Sequence, residues 1–574
     1  MPTVAEILVS ALAEHGVTQV WGVVGDALNP VTDAIHREDR VDWVGVRHEE
    51  VAAFAAGAQA QLTGRLGVCM GTVGPGSIHL LNGLYDAKKS HAPVLAICGQ
   101  VPRPEIGSDF FQEVDNQALF SDVAVFNATV SSPDQLPDLV EQAGNAALQG
   151  RGVAVLTLPG DVGGLDAPKG TPVPRFVTDH PAVPPQEDAV ARAAAALNGA
   201  GRVAMLVGCG ARDARAEVLA VAERLAAPMV VTLKAKQGFD DDNPYEIGQS
   251  GLLGNPATAE AFDGCDALLM VGTDFPYKEF YPDGKVVVQV DAAGEHIGRR
   301  HPIDHPVVGD ARLTIAALLP HLEQQADRSL LEKSRSSYDA WRERQQRLTD
   351  PDYERKPRGL LRRKVDNPDG RVRPEVLAAA VDRHAASDAV FTVDTGMAAT
   401  WLARFVRMTG RRELLGSFNL GSMANAMPQA LGAQALDRQR QVVAFCGDGG
   451  LTMLLGDLLT AVAHDLPVTL VVFDNGSLGM VKLEMEQAGL AAYGTRLANP
   501  DLARVAEAVG MRGLRVEDPH DVDAAVAEAL AHPGPVLLDV LTNPDEVAVP
   551  PKPTLEQGWG FAVAKTKEFL ESSD

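Results

Sequence analysis

Short apolar runs alternate with alanine-rich, helix-forming stretches along almost the whole chain. The runs lie at 20–24, 43–46, 67–70, 94–98, 203–207, 229–233, 267–271, 286–290, 442–446 and 468–473. Strands that alternate with helices form parallel sheets covered on both faces, because each helix carries the chain back to the same sheet edge. A chain of 574 residues also exceeds what a single hydrophobic core supports. We therefore predict an α/β fold of three successive doubly wound parallel-sheet domains.

Composition indicates where the domains begin and end. A proline-rich passage at 168–185 follows the first block, and a polar, basic stretch at 342–373 precedes the last one. A charge run of this kind is typical of a solvated linker. We expect a first domain at 1–182, a central domain at 187–335, a basic linker at 336–373, a third domain at 374–545 and a C-terminal tail at 546–574.

Charge and cysteine content exclude several classes of protein. The formal net charge is −25, with 51 Lys and Arg against 76 Asp and Glu, so the chain offers no broad cationic face to nucleic acid. The five cysteines are scattered without a C-x-x-C pair, which is typical of buried, reduced thiols. The N-terminus lacks a signal-peptide pattern, and no uncharged apolar run approaches the ~18 residues that span a bilayer. We expect a cytoplasmic protein, at most peripheral to the inner face of the cell membrane.

The segment from 441 to 480 carries the most specific chemical signal. A strand ends in Gly447-Asp448-Gly449-Gly450, an apolar helical stretch follows at 451–463, and a second strand ends in Asp474-Asn475. In such a βαβ unit the two strands lie in parallel, so Asp448 and Asn475 emerge at the same sheet edge. Their oxygens suit Mg²⁺, and glycines let the backbone approach phosphate. A tight turn with Asp448 as helix cap is the alternative, but the 27-residue spacing to Asn475 favours a ligand site.

This arrangement resembles the thiamine-diphosphate motif of the decarboxylase, acetolactate synthase and pyruvate oxidase superfamily. That motif usually ends in two asparagines, and here Asp474 stands in place of the first while Asn475 remains. The resemblance implies thiamine diphosphate and Mg²⁺ as cofactors, with Asp448, Asn475 and the backbone carbonyl of Ser477 as metal ligands. It also assigns cofactor contacts to three glycines of the two turns, Gly449, Gly450 and Gly479.

The first domain matches the same superfamily at 47–57, Arg-His-Glu-Glu-Val-Ala-Ala-Phe-Ala-Ala-Gly. The resemblance implies that Glu49 bonds the aminopyrimidine ring and promotes loss of the thiazolium proton; from the residues alone, Glu49 or Glu50 would be a first-turn helix residue. Gly421-Ser422-Met423 matches the segment that supports the bent cofactor, with Met423 as the wedge between its rings, although an isolated Met423 would be a core gap-filler. The resemblance places the two half-sites on different subunits, and so implies a homodimer or homotetramer.

The middle block resembles the flavin-contacting segments of pyruvate oxidases, especially bacterial pyruvate:quinone dehydrogenases. Glycines permit close approach to a pyrophosphate, and an Asp at a strand end accepts hydrogen bonds from hydroxyls. The turn at 208–210 mimics a dinucleotide turn but lacks the full spacing. The resemblance covers about residues 3–562 and implies FAD as a third cofactor. The predicted contacts are Ser250, Gly251, Leu252, Leu253, Gly254, Thr273, Asp274, Phe275, Pro276, Tyr277 and Asp291. The three domains would then be pyrimidine-binding, FAD-binding and diphosphate-binding.

The resemblance implies oxidative decarboxylation of pyruvate to acetate and CO2, with electrons passed through FAD to a quinone or similar acceptor. Phe111 and Gln112 would line the pocket near the reacting carbon. Two features depart from the family. Met480 stands where the family places a Phe between thiamine and flavin, and the chain stops soon after 560–570, which carries little apolar area for a lipid anchor.

Two other enzyme activities stay open. One is a phosphate- and oxygen-dependent pyruvate oxidase, which the short C-terminus favours. The other is a non-redox carboligase of the acetolactate synthase type with a structural FAD, which Met480 favours. A catalytically silent binding protein would need the loss of Glu49, Asp448 or Asn475, and all three are present.

Overall fold

The computed structural model describes residues 1–353 and 370–546. Three parallel sheets follow one another along the chain, which confirms the predicted fold class. Residues 354–369, within the predicted linker, and the tail after 546 lie outside the described residues. None of the described helices combines the length and apolarity needed to cross a membrane.

The first domain is a six-stranded sheet in the order β2-β1-β3-β4-β6-β5. Its strands are β1 Gln19–Gly22, β2 Asp42–Gly45, β3 Gly67–Gly71, β4 Val94–Gln100, β5 Ala124–Thr129 and β6 Val153–Pro159. Its helices are α1 Val4–Glu14, α2 Asn29–His36, α3 Glu49–Thr63, α4 Pro75–His79, α5 Leu81–Lys89, α6 Asn116–Leu119 and α7 Leu136–Gly150. Every residue of β3, β4 and β6 is buried, because helices cover both faces of the sheet.

The middle domain is a five-stranded parallel sheet in the order β11-β10-β9-β7-β8. Its strands are β7 Val203–Val207, β8 Met229–Val231, β9 Ala267–Val271, β10 Val286–Asp291 and β11 His305–Val308. Its helices are α8 Glu187–Asn198, α9 Arg215–Arg224, α10 Lys236–Phe239, α11 Pro256–Gly264, α12 Ala311–Leu318 and α13 Ser329–Arg347. The strand order reverses between β7 and β9, so the switch point at which such sheets bind ligands lies at their carboxyl ends.

The third domain repeats the strand order of the first, as β13-β12-β14-β15-β17-β16. Its strands are β12 Val390–Val393, β13 Glu413–Gly416, β14 Val442–Gly447, β15 Thr469–Asp474, β16 Arg512–Val516 and β17 Val536–Leu541. Its helices are α14 Pro374–His384, α15 Met397–Phe405, α16 Ala426–Leu436, α17 Asp448–Met453, α18 Leu458–Ala463, α19 Gly479–Gln487, α20 Leu502–Val509 and α21 Val522–Ala531. The switch point here lies between β12 and β14.

Helix α3 packs against α16, so the first and third domains share one hydrophobic core within a single chain. The alanine-rich sequence of α3 is buried on nearly all sides because the helix lies between its own sheet and α16. Gly432 faces α3 so closely that a Cβ atom there would overlap the carbonyl oxygen of Ala55. Gln59 Nε2 donates to the Gly432 carbonyl oxygen at 3.1 Å. The two domains therefore meet as closely as the layers of a single core.

Two local expectations differ from the structure. The apolar stretch 451–463 is not one helix, because the chain leaves helical geometry at Leu454 (φ −119°, ψ 29°) and resumes it in α18. The break places Asp457 where its carboxylate accepts the Arg47 backbone N–H from the first domain. The expected boundary between 335 and 336 falls inside α13, so the first part of the predicted linker continues a helix. Leu330, Leu331 and Tyr338 of that helix are buried, which ties it to the middle domain.

Candidate active site

Asp448 opens α17 directly after β14, at the carboxyl edge of the third sheet. Strand β15 runs beside β14, with Gly447 opposite Phe473, so Asp474 lies next to Asp448. Asp448 is only 2% exposed. Burial and the neighbouring Asp474 carboxylate raise the pKa of Asp448 well above its ordinary value. A divalent cation at this position would favour the ionised form and offset both effects.

Asn499 joins the two carboxylates and was missed in the sequence. Its Nδ2 donates to Asp448 Oδ2 at 2.7 Å and to Asp474 Oδ1 at 2.8 Å. The family motif has an amide where this chain has Asp474, and Asn499 supplies an amide from another part of the chain. No sequence spacing points to Asn499, which lies 25 residues beyond Asp474.

Asn475 and Ser477 form the turn that follows β15. Asn475 Oδ1 accepts the Ser477 backbone N–H at 2.9 Å, and the Ser477 carbonyl oxygen accepts the Gly479 N–H at 2.9 Å. Each of these oxygens keeps a second lone pair. Ser477 Oγ is buried without a hydrogen-bond partner among the described residues. A carboxylate, an amide oxygen and a carbonyl oxygen at one sheet edge are the donors that Mg²⁺ takes, so the predicted ligands fit that ion.

Asp394 anchors both segments that line this edge, and the sequence analysis missed it. Its carboxylate is 2% exposed and accepts the backbone N–H groups of Ala426 at 2.9 Å and Gly447 at 3.2 Å. A Cβ atom on Gly450 would overlap Asp394 Oδ2. Burial raises the pKa of Asp394 to about 7. The signal was present, because Asp394 directly follows β12, which pairs with β14.

The segment at 421–423, a predicted cofactor support, packs against the turn that carries Asp448. Gly421 has φ 77°, which only glycine adopts without strain, and its N–H donates to the Ser417 carbonyl oxygen. A Cβ atom on Gly449 would lie 3.4 Å from Met423 Cε, so the methionine borders the turn that carries Asp448. Ser422 Oγ accepts Asn82 Nδ2 of the first domain at 2.9 Å.

Glu49 is the first residue of α3, 7% exposed, after the N-cap His48. Glu49 Oε2 lies 2.9 Å from His79 Nδ1, within hydrogen-bond distance of the ring. The His48 and His79 rings stack with centroids 4.4 Å apart. A Cβ atom on Gly76 would approach Glu49 Oε1 to 3.2 Å, so the glycine leaves room for the carboxylate. His79, at the end of α4, is a site residue that the sequence analysis missed.

The predicted substrate-side residues occupy different environments. Gln112 has φ 66° and packs against Gly74, at the start of the turn that leads to α4, so it lies at the Glu49 end of the domain. Phe111 is 79% exposed, so it lines no enclosed pocket in the single chain. Met480 is half-buried on α19 in the third domain.

Asn82 links the first turn of α3 to the segment at 421–423 of the same chain. Its Nδ2 donates to Glu50 Oε1 at 2.7 Å and to Ser422 Oγ at 2.9 Å. Assembly into a dimer or tetramer stays a prediction.

The middle-domain cleft lies at the carboxyl ends of β7, β9 and β10. The turn at 208–210 is tight, because a Cβ atom on Gly208 would overlap the Gly272 carbonyl oxygen. Gly251 has φ 81° and turns the chain beside this edge. Asp291 ends β10, and its Oδ1 accepts the Ala293 N–H at 2.9 Å. These features fit the close backbone approach that a dinucleotide requires.

Asp274, another predicted flavin contact, is already engaged. Its carboxylate accepts Arg300 Nε at 2.8 Å and Arg299 Nη1 at 3.2 Å. Phe275 packs edge-on against Tyr277, and its carbonyl oxygen accepts the Tyr281 hydroxyl at 2.8 Å. This part of the predicted flavin segment thus also makes structural contacts, and its flavin contacts stay a prediction.

Three thiamine pyrophosphate enzyme domains match consecutive parts of the chain. The N-terminal TPP binding domain matches residues 2–119, the central domain 190–318 and the C-terminal TPP binding domain 394–540. The chain is 36% identical to YdaP of Bacillus subtilis, described as thiamine pyrophosphate-containing, over 99% of this chain and 96% of that protein. It is 30% identical to pyruvate oxidase of Lactiplantibacillus plantarum, over 99% of this chain and 93% of that protein. It is 33% identical to the acetolactate synthase large subunit of Parasynechococcus marenigrum, over 96% and 89% respectively.

Proposed function

Because the chain belongs to the thiamine pyrophosphate enzyme family, we propose that it uses thiamine diphosphate and Mg²⁺ to decarboxylate pyruvate oxidatively. Pyruvate and water give acetate and CO2, and two electrons pass through FAD to a quinone or similar acceptor. Relatives named pyruvate oxidase and acetolactate synthase support a small 2-oxo acid as the substrate. The cleft at the switch point of the middle sheet supports FAD.

The observation that carries the proposal is that each predicted half-site offers the chemistry of one end of the cofactor. Glu49 is a buried carboxyl group at the start of α3, and Asp448, Asn475 and the Ser477 carbonyl lie at one edge of the third sheet. One cofactor with an aromatic ring at one end and a diphosphate at the other would require both half-sites. An acidic group at the ring end and oxygen ligands at the diphosphate end match its chemistry.

When bound, thiamine diphosphate supplies the carbon nucleophile and electron sink, Mg²⁺ neutralises the diphosphate, and FAD accepts the electron pair. The protein positions these groups. Glu49 Oε2, held by His79, takes or returns a proton, and its burial excludes water from that step. Asp448 and Asn475 would hold the metal, and Met423, which borders Gly449, would fix the shape of the cofactor.

A second candidate is a non-redox carboligase of the acetolactate synthase type. Met480 favours it, because the pyruvate oxidase resemblance places an aromatic side chain there, between thiamine and flavin. A thioether lacks the aromatic π system, and a carboligase needs no electron transfer between the cofactors.

An anaerobic absorbance spectrum of the cofactor-loaded protein, taken before and after pyruvate is added, tests the proposal. We expect the flavin band to bleach as CO2 is released. A band that persists during CO2 release would establish the carboligase instead. A flavin band that bleaches, together with turnover that requires phosphate, would identify the phosphate-dependent oxidase. Loaded protein that contains no flavin would refute the redox proposal.

Glu49→Gln tests the assigned proton carrier, with Glu50→Gln as the matched control. Loss of a general acid–base group lowers turnover by about 100-fold or more. Gln at position 50 keeps an oxygen that accepts from Asn82, so this variant should retain activity. Equal activities of the two variants would remove Glu49 from its role.

A further inference from the structure

Lys234 is partly buried, between the first and middle domains. It belongs to the turn Leu233–Ala235 after β8, and its Nζ donates to Gln61 Oε1 of α3 at 3.0 Å. Burial lowers the pKa of Lys234, and the nearby Arg212 lowers it further. No carboxylate of the described residues forms an ion pair with this ammonium.

A partly buried ammonium that has only an amide partner loses hydration that a neutral oxygen does not fully compensate. Asp86 is the acidic group within electrostatic range, but its Oδ2 accepts Gln429 Nε2 at 3.1 Å, on the side of the third domain. No described carboxylate bonds Lys234, although the chain carries 76 Asp and Glu against 51 Lys and Arg. The site is suited to an anionic ligand.

The backbone hydrogen bonds place Lys234 beside the glycine turn of the middle sheet. The Thr232 N–H donates to the Val207 carbonyl oxygen at 3.0 Å, so the end of β8 follows the end of β7. The turn at 208–210 comes next on that side, and the Gly210 N–H donates to the Gly272 carbonyl oxygen at 3.0 Å. Lys234 therefore borders the switch point at which a doubly wound sheet binds the phosphates of a nucleotide.

Two amide nitrogens also lack partners, one in Gln61, which bonds Lys234, and one in Gln249 of the middle domain. Gln249, 7% exposed, has an Nε2 without a hydrogen-bond partner among the described residues. It lies at the end of β8, because the Val231 N–H donates to the Gly248 carbonyl oxygen at 3.0 Å. Gln61 Nε2 is likewise buried and unpaired within the described part of the chain. Buried donors of this kind indicate an acceptor-rich ligand.

We propose that Lys234 is an anion-binding residue of the middle-domain cleft, whose ammonium pairs with the diphosphate of a bound dinucleotide while Gln249 donates to the same ligand. The inference rests on the proposed function in that FAD is the dinucleotide. It adds a charged contact outside the predicted flavin segments. It also connects the ligand to α3, the helix that carries Glu49, through Gln61.

Lys234→Met tests the proposal by binding rather than by activity, with Lys285→Met at the opposite, amino-terminal edge of the same sheet as the control. Titration of the flavin-free protein with FAD, riboflavin and ADP gives the affinities. Loss of a hydrogen bond to a charged group should weaken FAD and ADP by about 10- to 100-fold in Lys234→Met. Riboflavin, which lacks phosphate, should bind with unchanged affinity, and Lys285→Met should match the wild type.

Thermal unfolding of the flavin-free variants separates a binding role from a structural one. Removal of an uncompensated, partly buried charge should leave the melting temperature of Lys234→Met equal to or above that of the wild type. A clearly lower melting temperature would show that Lys234 stabilises the fold, and would overturn the proposal. If the wild type binds FAD and Lys234→Met binds it with the same affinity, the proposal would also be overturned. The wild type could bind ADP but not FAD, with weaker ADP binding in Lys234→Met. That result would support the anion-binding role of Lys234 and refute the flavin function.

Discussion

Gly450→Ala should damage the cofactor site through the buried carboxylate of Asp394. The added Cβ atom would overlap Asp394 Oδ2, lie 2.9 Å from its Cγ and lie 3.2 Å from the Ala424 backbone nitrogen. Ordinary carbon contacts are about 3.5–4.0 Å, so either the helix or the carboxylate has to move. The carboxylate is held by the N–H groups of Ala426 and Gly447. Movement therefore breaks at least one hydrogen bond.

The expected cost combines two contributions. Overpacking of a filled interior costs about 1–3 kcal/mol, and a lost hydrogen bond to a charged group about 1.5–3 kcal/mol. A net loss of about 3 kcal/mol corresponds to roughly a hundredfold weaker binding of Mg²⁺ and thiamine diphosphate, if the displacement of α17 acts on the bound state. The part of this free-energy cost that is already present in the cofactor-free protein lowers the melting temperature instead.

Calorimetric titration with thiamine diphosphate in the presence of Mg²⁺, together with thermal unfolding, measures both effects. Gly456→Ala is the matched control: it lies in the same domain, and its added Cβ atom would only touch Arg47 Cβ at 4.0 Å. The control should bind and unfold like the wild type. Wild-type affinity and wild-type melting temperature in Gly450→Ala would refute the assigned role of Asp394.

Three further outcomes are expected. Dialysis against a chelator should weaken thiamine diphosphate binding by at least about tenfold, because without a cation the diphosphate faces Asp448 directly. Addition of Mg²⁺ should restore the affinity, and a calorimetric affinity that the chelator leaves unchanged would contradict the metal site. Burial raises the pKa of Asp86 from 3.8 to about 6, so its contribution to stability is complete below pH ~4 and is lost as the pH rises through about 6. The free energy of unfolding of Asp86→Asn should therefore rise relative to that of the wild type between about pH 4 and 7, by up to about 3 kcal/mol; a difference that does not change with pH would contradict this. Gly432→Ala should destabilise the contact with Ala55 by about 1–3 kcal/mol in thermal unfolding, and an unchanged melting temperature would show that α3 and α16 separate easily.

The sequence was sufficient for the fold class and for the local chemistry at the strand ends. Apolar runs of strand length, separated by helix-forming stretches, determine parallel sheets because both faces of each strand have to be covered. The same rule placed Asp448 and Asn475 at one edge, and it would have found Asp394. Glu49 was assigned by resemblance, since a glutamate in the first turn of a helix is common in any protein.

Only the tertiary structure decided which distant parts of the chain meet. The hydrogen bond between Asn82 and Ser422 joins residues that are 340 positions apart in the sequence, and the one between Lys234 and Gln61 joins residues 173 positions apart. Periodicity in a sequence records which face of a helix is apolar, but not which partner covers it. Partners of this kind follow from the way α3, α16 and the middle sheet pack in three dimensions, where shape and burial decide together. The sequence by itself thus determined the sheets and the ligand types at their edges, and tertiary packing determined the bridge at Asn499, the link from Asn82 to Ser422 and the surroundings of Lys234.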